Sequence, residues 1–134
     1  MKKDIIPPIV KDVAVAIVKE KNELDETVWN SYLINLKDEE LEGVLVTSVG
    51  YGDMNEKKVK TSTLRHFLDV VSPQSFKKIE PIMDNVFGLN NEFWVSFYVN
   101  KVMYDKKYIF LPETIKEEYL TTIPIIDKKG VLIK

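Results

Sequence analysis

Short segments in which apolar and polar residues alternate recur along the chain, separated by clusters of turn-forming residues. The clearest alternation runs from 93 to 110, and its two halves meet at Asn100-Lys101. Asparagine tolerates the positive φ of a tight primed turn, so the segment predicts a two-residue β-hairpin. The apolar face of that hairpin would pair Val99 with Val102, Phe97 with Tyr104, Val95 with Lys106 and Phe93 with Tyr108. A slip by one residue would mix the two faces, so the register is well defined.

The rest of the chain gives about seven to nine short strands in total, with little helix. The first, 13–19, is apolar on both faces, as in a strand covered on both sides. Segment 59–71 is open to two interpretations, and its β-branched residues favour strand over helix. Residues 50–55, with two glycines, predict a loop after the strand 41–49. The other predicted elements are strands at 27–36 and 75–80, a helical turn at 83–87 and a short helix from Pro112 to Leu120 with Ile115 and Tyr119 packed on one side.

The carboxyl-terminal residues predict a second hairpin. Its strands would be 122–126 and 131–133, around Asp127-Lys128-Lys129-Gly130. Gly130 would take the left-handed bulge position of this turn, because glycine adopts a positive φ without steric penalty.

Together these elements predict an all-β fold, an antiparallel β-sandwich of immunoglobulin-like or fibronectin type III-like architecture with one or two short helices. The alternative is an α+β fold in which residues 62–71 and 112–120 are helices over one antiparallel sheet. The 134 residues suit one domain. We expect an extended leader over residues 1–12, because Pro7-Pro8 disfavours helix and strand pairing, and a single β-rich domain over 13–134.

Composition excludes several kinds of chemistry. The chain has no cysteine and one histidine, which excludes disulfides, thiolate nucleophiles, thiolate zinc sites and multi-histidine metal clusters. The formal net charge is -2, and Arg65 is the only arginine among 19 basic residues. Arginine is the usual reader of guanine and phosphate, so we expect no DNA binding. Asp4 and the two prolines interrupt any signal peptide, and no apolar stretch approaches the roughly 20 residues of a membrane span. We therefore expect a cytoplasmic protein without membrane contact.

Candidate catalytic and metal residues are few. His66 is the only side chain that ordinarily titrates near neutrality, but no Gly-x-Ser-x-Gly motif accompanies it. Its apolar neighbours indicate a structural or surface histidine. The acidic clusters at 25–26 and 38–42 lack the spacing of a calcium loop, and Gly50 and Gly52 lack the partners of a phosphate loop. No catalytic residue, metal ligand or cofactor is assigned.

Aromatic residues on the second face of the 93–110 hairpin are the candidate binding residues. Phe97 and Tyr104 belong to the predicted core, which leaves Trp94 and Tyr98 on the opposite face, with Lys107 across from Trp94. Exposed flat aromatic rings bind sugars, bases or peptide side chains. The alternative is that the carboxyl-terminal segment of the chain covers this face.

Five parts of the chain form a distinctive set: Trp29-Asn30 with 32–36, the stretch Val59-Lys60-Thr61-Ser62-Thr63-Leu64-Arg65-His66-Phe67-Leu68, and the segments 78–82, 104–107 and 110–113. Together they resemble an uncharacterised family of small bacterial all-β proteins. Some members carry a phenylalanyl-tRNA synthetase-related label. That label does not describe this chain, because a class II synthetase core needs ATP-binding arginine motifs and a far longer catalytic domain. The resemblance implies no activity and transfers no functional residue.

The sequence therefore favours a small non-catalytic protein-interaction module. Its partner would be another protein or a second copy of the chain, bound through edge strands or the carboxyl-terminal hairpin, residues 122–134. A small-ligand-binding protein or an enzyme, with a pocket near Trp94 and Tyr98, is the first alternative. An RNA-associated protein, suggested by abundant lysine and the synthetase label, is the second.

Overall fold

The computed structural model describes residues 8–134, which contain ten β-strands and two single-turn 3-10 helices. The strands are β1 (Val13–Lys21), β2 (Thr27–Asn35), β3 (Leu41–Met54), β4 (Lys57–Lys60), β5 (Leu64–Val71), β6 (Ser75–Ile82), β7 (Asn90–Val99), β8 (Val102–Phe110), β9 (Thr121–Thr122) and β10 (Lys129–Ile133). The 3-10 helices are Asp84–Val86 and Glu117–Tyr119. Of the predicted leader, residues 8–12 have no regular structure and 1–7 lie outside the described residues.

The strands form two antiparallel sheets. The first sheet has the order β6-β2-β1-β10-β9. In the second sheet, β3 pairs on one side with β7, which pairs with β8, and on the other side with β5 and then β4 along its length. The all-β prediction is confirmed. The α+β alternative is wrong, because 64–71 is a strand and 112–120 contains only one 3-10 turn. Within residues 8–134, no helix is long and apolar enough to span a membrane.

The main hydrophobic core lies between the inner faces of the two sheets. The first sheet contributes Val15, Ile17 and Leu33, and the second contributes Val46, Val95 and Phe97. Tyr108 connects the sheets directly, since its hydroxyl donates a 2.6 Å hydrogen bond to the carbonyl oxygen of Val13. Burial of this ring raises the pKa of Tyr108 above the ordinary tyrosine value.

A second, smaller core covers the other face of β1. Ala14, Ala16 and Val18 are buried there, and Ile123, after β9, packs in the same cluster. The prediction that this strand is covered on both faces is therefore confirmed.

The hairpin of β7 and β8 has the predicted register. Val99 pairs with Val102 and Phe93 with Tyr108, and the two turn residues Asn100 and Lys101 have φ of 50° and 66°. Positive φ at both central positions is the requirement of a type I′ turn.

The predicted loop at 50–55 is wrong, because β3 continues through both glycines to Met54. The turn lies later, at Asn55-Glu56, where φ is positive at both residues. Glycine is favoured at position 50 because Thr61 lies close to it. An added Cβ at Gly50 would lie 3.1 Å from the Thr61 methyl group, and the Thr61 hydroxyl accepts a 2.8 Å hydrogen bond from the Gly50 amide.

The carboxyl-terminal segment differs from its prediction in three ways. The first strand of the predicted hairpin shrinks to the two residues of β9, and 123–126 forms a turn. Gly130 does not have the left-handed conformation. Glycine is required there because an added Cβ would lie only 2.5 Å from the carbonyl oxygen of Ile17 in β1. Ile115 is buried whereas Tyr119 is exposed, so these two do not pack on one side of a helix.

Candidate functional site

The outer side of the second sheet exposes five large apolar side chains, which we call the apolar face. Their exposed fractions lie between 37% and 67%, where single-residue exposure is ordinary but a contiguous set indicates a contact surface. The alternation of β3, β5, β7 and β8 places them on one side, because the intervening residues point into the core. The members are Leu45, Phe67, Trp94, Tyr98 and Met103.

Strand pairing arranges this face in rows that run across the strands. One row contains Arg65, Thr47, Trp94 and Lys107, and the adjacent row contains Phe67, Leu45, Ser96 and Asp105. The first row thus carries two basic side chains around Trp94, and the second carries an acidic side chain and the small Ser96.

Two local contacts hold the aromatic rings of the apolar face. The Lys107 ammonium lies 4.7 Å from the ring centroid of Trp94, a cation–π contact between paired residues. Gly43 lies at an irregularity in β3 with a φ of 54°, and an added Cβ there would be 3.5 Å from the Tyr98 ring. That distance is an ordinary contact, so glycine is favoured at position 43 by its positive φ, and Tyr98 lies against this irregularity of β3.

The three sequence-predicted site residues thus meet on one exposed face. Trp94 and Tyr98 are 46% and 44% exposed, so the carboxyl-terminal segment does not cover them. The rings of Phe97 and Tyr104 stack on the inner side of the sheet with their centroids 5.5 Å apart, so both lie on the core side, as predicted. Whether Trp94, Tyr98 and Lys107 bind a ligand stays a prediction.

A second candidate site is a cluster of Ser48, His66 and Glu80 between the sheets. Glu80 Oε1 accepts a 2.5 Å hydrogen bond from Ser48 Oγ and lies 2.6 Å from His66 Nε2. The Glu80 side chain is only 15% exposed. The serine donates to the carboxylate and not to the imidazole, so this is not the geometry of a serine activated by a histidine base. The two donors instead hold one carboxylate oxygen in a fixed position.

A β-bulge places Glu80 there. In the pairing of β2 with β6, Ser31 is opposite Glu80 and Tyr32 is opposite Lys78, which leaves Ile79 without a partner. The extra residue turns both Ile79 and Glu80 toward the inter-sheet space, where regular alternation would have put Glu80 on the outer face. Ser31 fixes the bulge, since its hydroxyl donates to the Glu80 carbonyl and accepts from the Glu80 amide.

A cleft of about 320 Å³ opens beside this cluster. Ser48 and Glu80 line it together with Asn91, Glu92 and the apolar side chains of Leu64, Ile82 and Phe93. Glu92 accepts a 3.3 Å hydrogen bond from the Tyr51 hydroxyl. Partial burial, followed by the negative charge of Glu92, raises the pKa of Tyr51. Trp94 and Tyr98 do not line this cleft.

Sequence reasoning missed this second site. It considered His66 alone and did not single out Ser48 or Glu80, which lie 18 residues before and 14 residues after it. Regular alternation along β6 would put Glu80 on the outer face of the sheet, and the residue types of this strand do not specify a bulge. Pro81 is the one hint in the sequence, because proline is tolerated in a strand only at a sheet edge or at an irregularity.

The edges of the sheets are short or charged. β6 bounds the first sheet, and at the other edge β9 covers β10 only at residues 129 and 130. β8 bounds the second sheet and carries Asp105, Lys106 and Lys107, charges that discourage pairing with a foreign strand.

Comparisons of the chain with models of known protein families, with curated proteins and with solved structures give no match. The function is therefore argued from the geometry of the two candidate sites.

Proposed function

We propose that the protein is a non-catalytic interaction module whose apolar face binds a second copy of the chain. The observation that carries the proposal is the set of five exposed apolar side chains on one sheet face. Tryptophan, tyrosine, phenylalanine and methionine are the residue types enriched in protein interfaces. An open sheet face also suits a large protein surface better than a small molecule, which needs a concave site.

The rows of the apolar face are complementary to themselves. A two-fold axis that runs along the rows, between the Trp94 row and the Ser96 row, would set each row of one copy against the other row of its partner. Trp94 of one copy would then enter the space above the small Ser96 of the other. Lys107 would meet Asp105, and Arg65 would lie over the ring of Phe67.

The size of the face sets the expected affinity. Four strands at a spacing of about 4.8 Å and roughly eight residues at about 3.3 Å give a footprint of about 500 Å² per copy. A pair would bury about 1,000 Å², the lower limit for specific interfaces. We therefore expect a reversible dimer with a dissociation constant in the micromolar range.

RNA binding is less well supported by this surface. Exposed acidic residues, Glu42 and Asp105, offset the two basic residues Arg65 and Lys107, whereas phosphate contacts need a basic surface. The immunoglobulin-like or fibronectin type III-like type of the sandwich and a cytoplasmic location stay predictions, as do a different protein partner and contacts through edge strands or residues 122–134.

Charge reversal tests the dimer. Sedimentation equilibrium from 1 μM to 1 mM should give a mass that rises from 15.5 kDa toward twice that value. Lys107→Asp should weaken the association at least about tenfold, because it sets acidic side chains against each other. Adding Asp105→Lys should restore it. Lys78→Asp, a matched reversal on the first sheet, should have no effect.

Two results would overturn the proposal. One is a monomer at every concentration. The other is a dimer that Lys107→Asp leaves intact, or that the double reversal fails to restore.

A further inference from the structure

The cleft beside Glu80 is a second candidate binding site, and it is separate from the apolar face. It lies on the inner side of the second sheet, whereas the apolar face lies on the outer side. Its volume of about 320 Å³ is at the lower end of the range for small-molecule sites.

The charge of the cleft has one sign. Among the described residues, those that line it include no lysine, arginine or histidine, and the carboxylate that faces it is that of Glu80. Glu92 also lines the cleft, but the alternation of β7 places its side chain on the outer side of the sheet with Trp94. His66 lies behind the carboxylate, bonded to Oε1, and is not part of the lining. A partly buried carboxylate without a basic neighbour on its open side attracts a cation or a strong hydrogen-bond donor.

Two side-chain oxygens in the cleft are free acceptors, whereas the lining residues with unused donors, Ser62 and Asn85, are exposed. Ser48 and His66 occupy Glu80 Oε1, and no described residue donates to Oε2. Asn91 is 93% buried, and its Nδ2 donates to the carbonyl oxygens of Val86 and Leu89. Those two bonds fix the orientation of the amide, and its Oδ1 receives no hydrogen bond from a described residue. Among the described residues, no fully buried side-chain oxygen lacks a partner, so solvent reaches both free oxygens.

The remaining walls of the cleft are apolar. Leu64, Ile82 and Phe93 approach from β5, β6 and β7 respectively. A ligand that matches both the acceptor oxygens and the apolar walls of the cleft carries several N–H donors at one end and a hydrocarbon chain at the other. We propose that the cleft binds a small organic cation, an alkylammonium or alkylguanidinium, whose charged head bonds to Glu80 Oε2 and Asn91 Oδ1.

The single histidine makes this proposal measurable. His66 is the only histidine in the chain, so its ring C–H signals in an NMR spectrum are assigned without ambiguity. Because its Nε2 is 2.6 Å from Glu80 Oε1, a ligand that binds the same carboxylate should shift these signals. The probes are n-butylammonium and n-butylguanidinium chloride, with sodium chloride at equal ionic strength and the neutral n-butanol as controls.

We expect a saturable shift with both cations, with a dissociation constant of about 0.1–10 mM, a range suited to ligands of this size. n-Butanol and sodium chloride should give no saturable shift. Glu80→Gln should weaken binding of the cations at least about tenfold, because it removes the charge and keeps the side-chain shape.

A second variant tests the site without removing a buried hydrogen-bond partner. Leu64 lines the cleft and is 46% exposed, so Leu64→Lys should fold, and its ammonium should compete for Glu80. We expect at least tenfold weaker binding. Leu24→Lys is the matched control on a distant exposed loop and should bind like the unaltered protein.

The proposal is overturned if neither cation gives a saturable shift, or if n-butanol shifts the signals as the cations do. Equal affinities in Leu64→Lys and Leu24→Lys would also overturn it, and they decide the question if Glu80→Gln does not fold. None of these outcomes bears on the dimer, whose test uses residues on the other side of the sheet.

Discussion

The contact between β10 and β1 can be tested with one added methyl group. Gly130 lies opposite Val18 in this pairing, and an added Cβ would be 2.5 Å from the carbonyl oxygen of Ile17 and 3.1 Å from the Val18 Cα. Both neighbours are backbone atoms, so a side-chain rotation cannot relieve the overlap. The Gly130→Ala variant must therefore push β10 away from the strand to which it is hydrogen-bonded.

The expected loss of stability follows from that displacement. Ordinary van der Waals contact begins near 3.4 Å, so the strands must separate locally by about 0.9 Å. Overpacking of this kind costs about 1–3 kcal/mol, and a weakened backbone hydrogen bond adds about 0.5–1.5 kcal/mol. We expect a free energy of unfolding lower by about 2–3 kcal/mol and a melting temperature lower by about 8–12 °C.

Urea denaturation followed by circular dichroism gives the free energy directly. The matched control is Gly88→Ala, whose added Cβ would meet Glu113 Oε1 at 3.5 Å and the Met54 methyl group at 3.8 Å, both ordinary contacts. It should change stability by less than about 0.5 kcal/mol. If Gly130→Ala loses no more stability than Gly88→Ala, the close approach of β10 to β1 is wrong.

Three further predictions concern the core. Burial raises the pKa of Tyr108, so above pH 10 the unfolded chain loses a proton that the folded chain keeps, and stability falls as the pH rises. Tyr108→Phe should reduce the decrease of the free energy of unfolding with pH by up to about 1.4 kcal/mol per pH unit, measured by urea denaturation between pH 8 and 11. The control Tyr119→Phe, at an exposed position, should leave the pH dependence unchanged. Equal pH dependence in the two variants would contradict the prediction. Asn35→Asp would place a buried carboxylate against the three carbonyl oxygens to which the Asn35 amide now donates hydrogen bonds. We expect urea denaturation to show a free energy of unfolding lower by at least about 3 kcal/mol. The control Asn55→Asp, in an exposed turn, should lower it by less than about 0.5 kcal/mol. A small loss for Asn35→Asp would show that these bonds matter little. Deletion of 122–134 removes β10 and the buried Ile123, so the far-UV circular dichroism of the product should lose its strand signal; a folded product would show that the first sheet is stable without them.

Both proposed sites use β3, from opposite sides. Thr47 and Leu45 lie in the rows of the apolar face, and Ser48 points into the space between the sheets. A dimer through the outer side therefore leaves the cleft open, and occupancy of one site does not sterically exclude occupancy of the other.

Local patterns were enough to predict much of the second sheet. The β7–β8 register followed from the alternation on each side of Asn100, because a two-residue turn leaves one pairing that keeps apolar residues together. The same argument placed Trp94 and Tyr98 on the outer face. It could not say whether other parts of the chain cover that face, since covering depends on contacts between residues far apart in sequence.

The order of apolar and polar residues by itself determined the strand-rich fold, the two faces of the β7–β8 hairpin and the burial of β1 on both sides. Tertiary structure alone decided that β10 lies against β1, which makes Gly130 necessary for close approach instead of for its conformation. It alone also decided that Glu80 faces inward, through a bulge whose extra residue interrupts the alternation. The physical reason is that a period of two residues specifies the side of a strand on which a residue lies, whereas the strand that approaches from that side is selected by the packing of the whole chain.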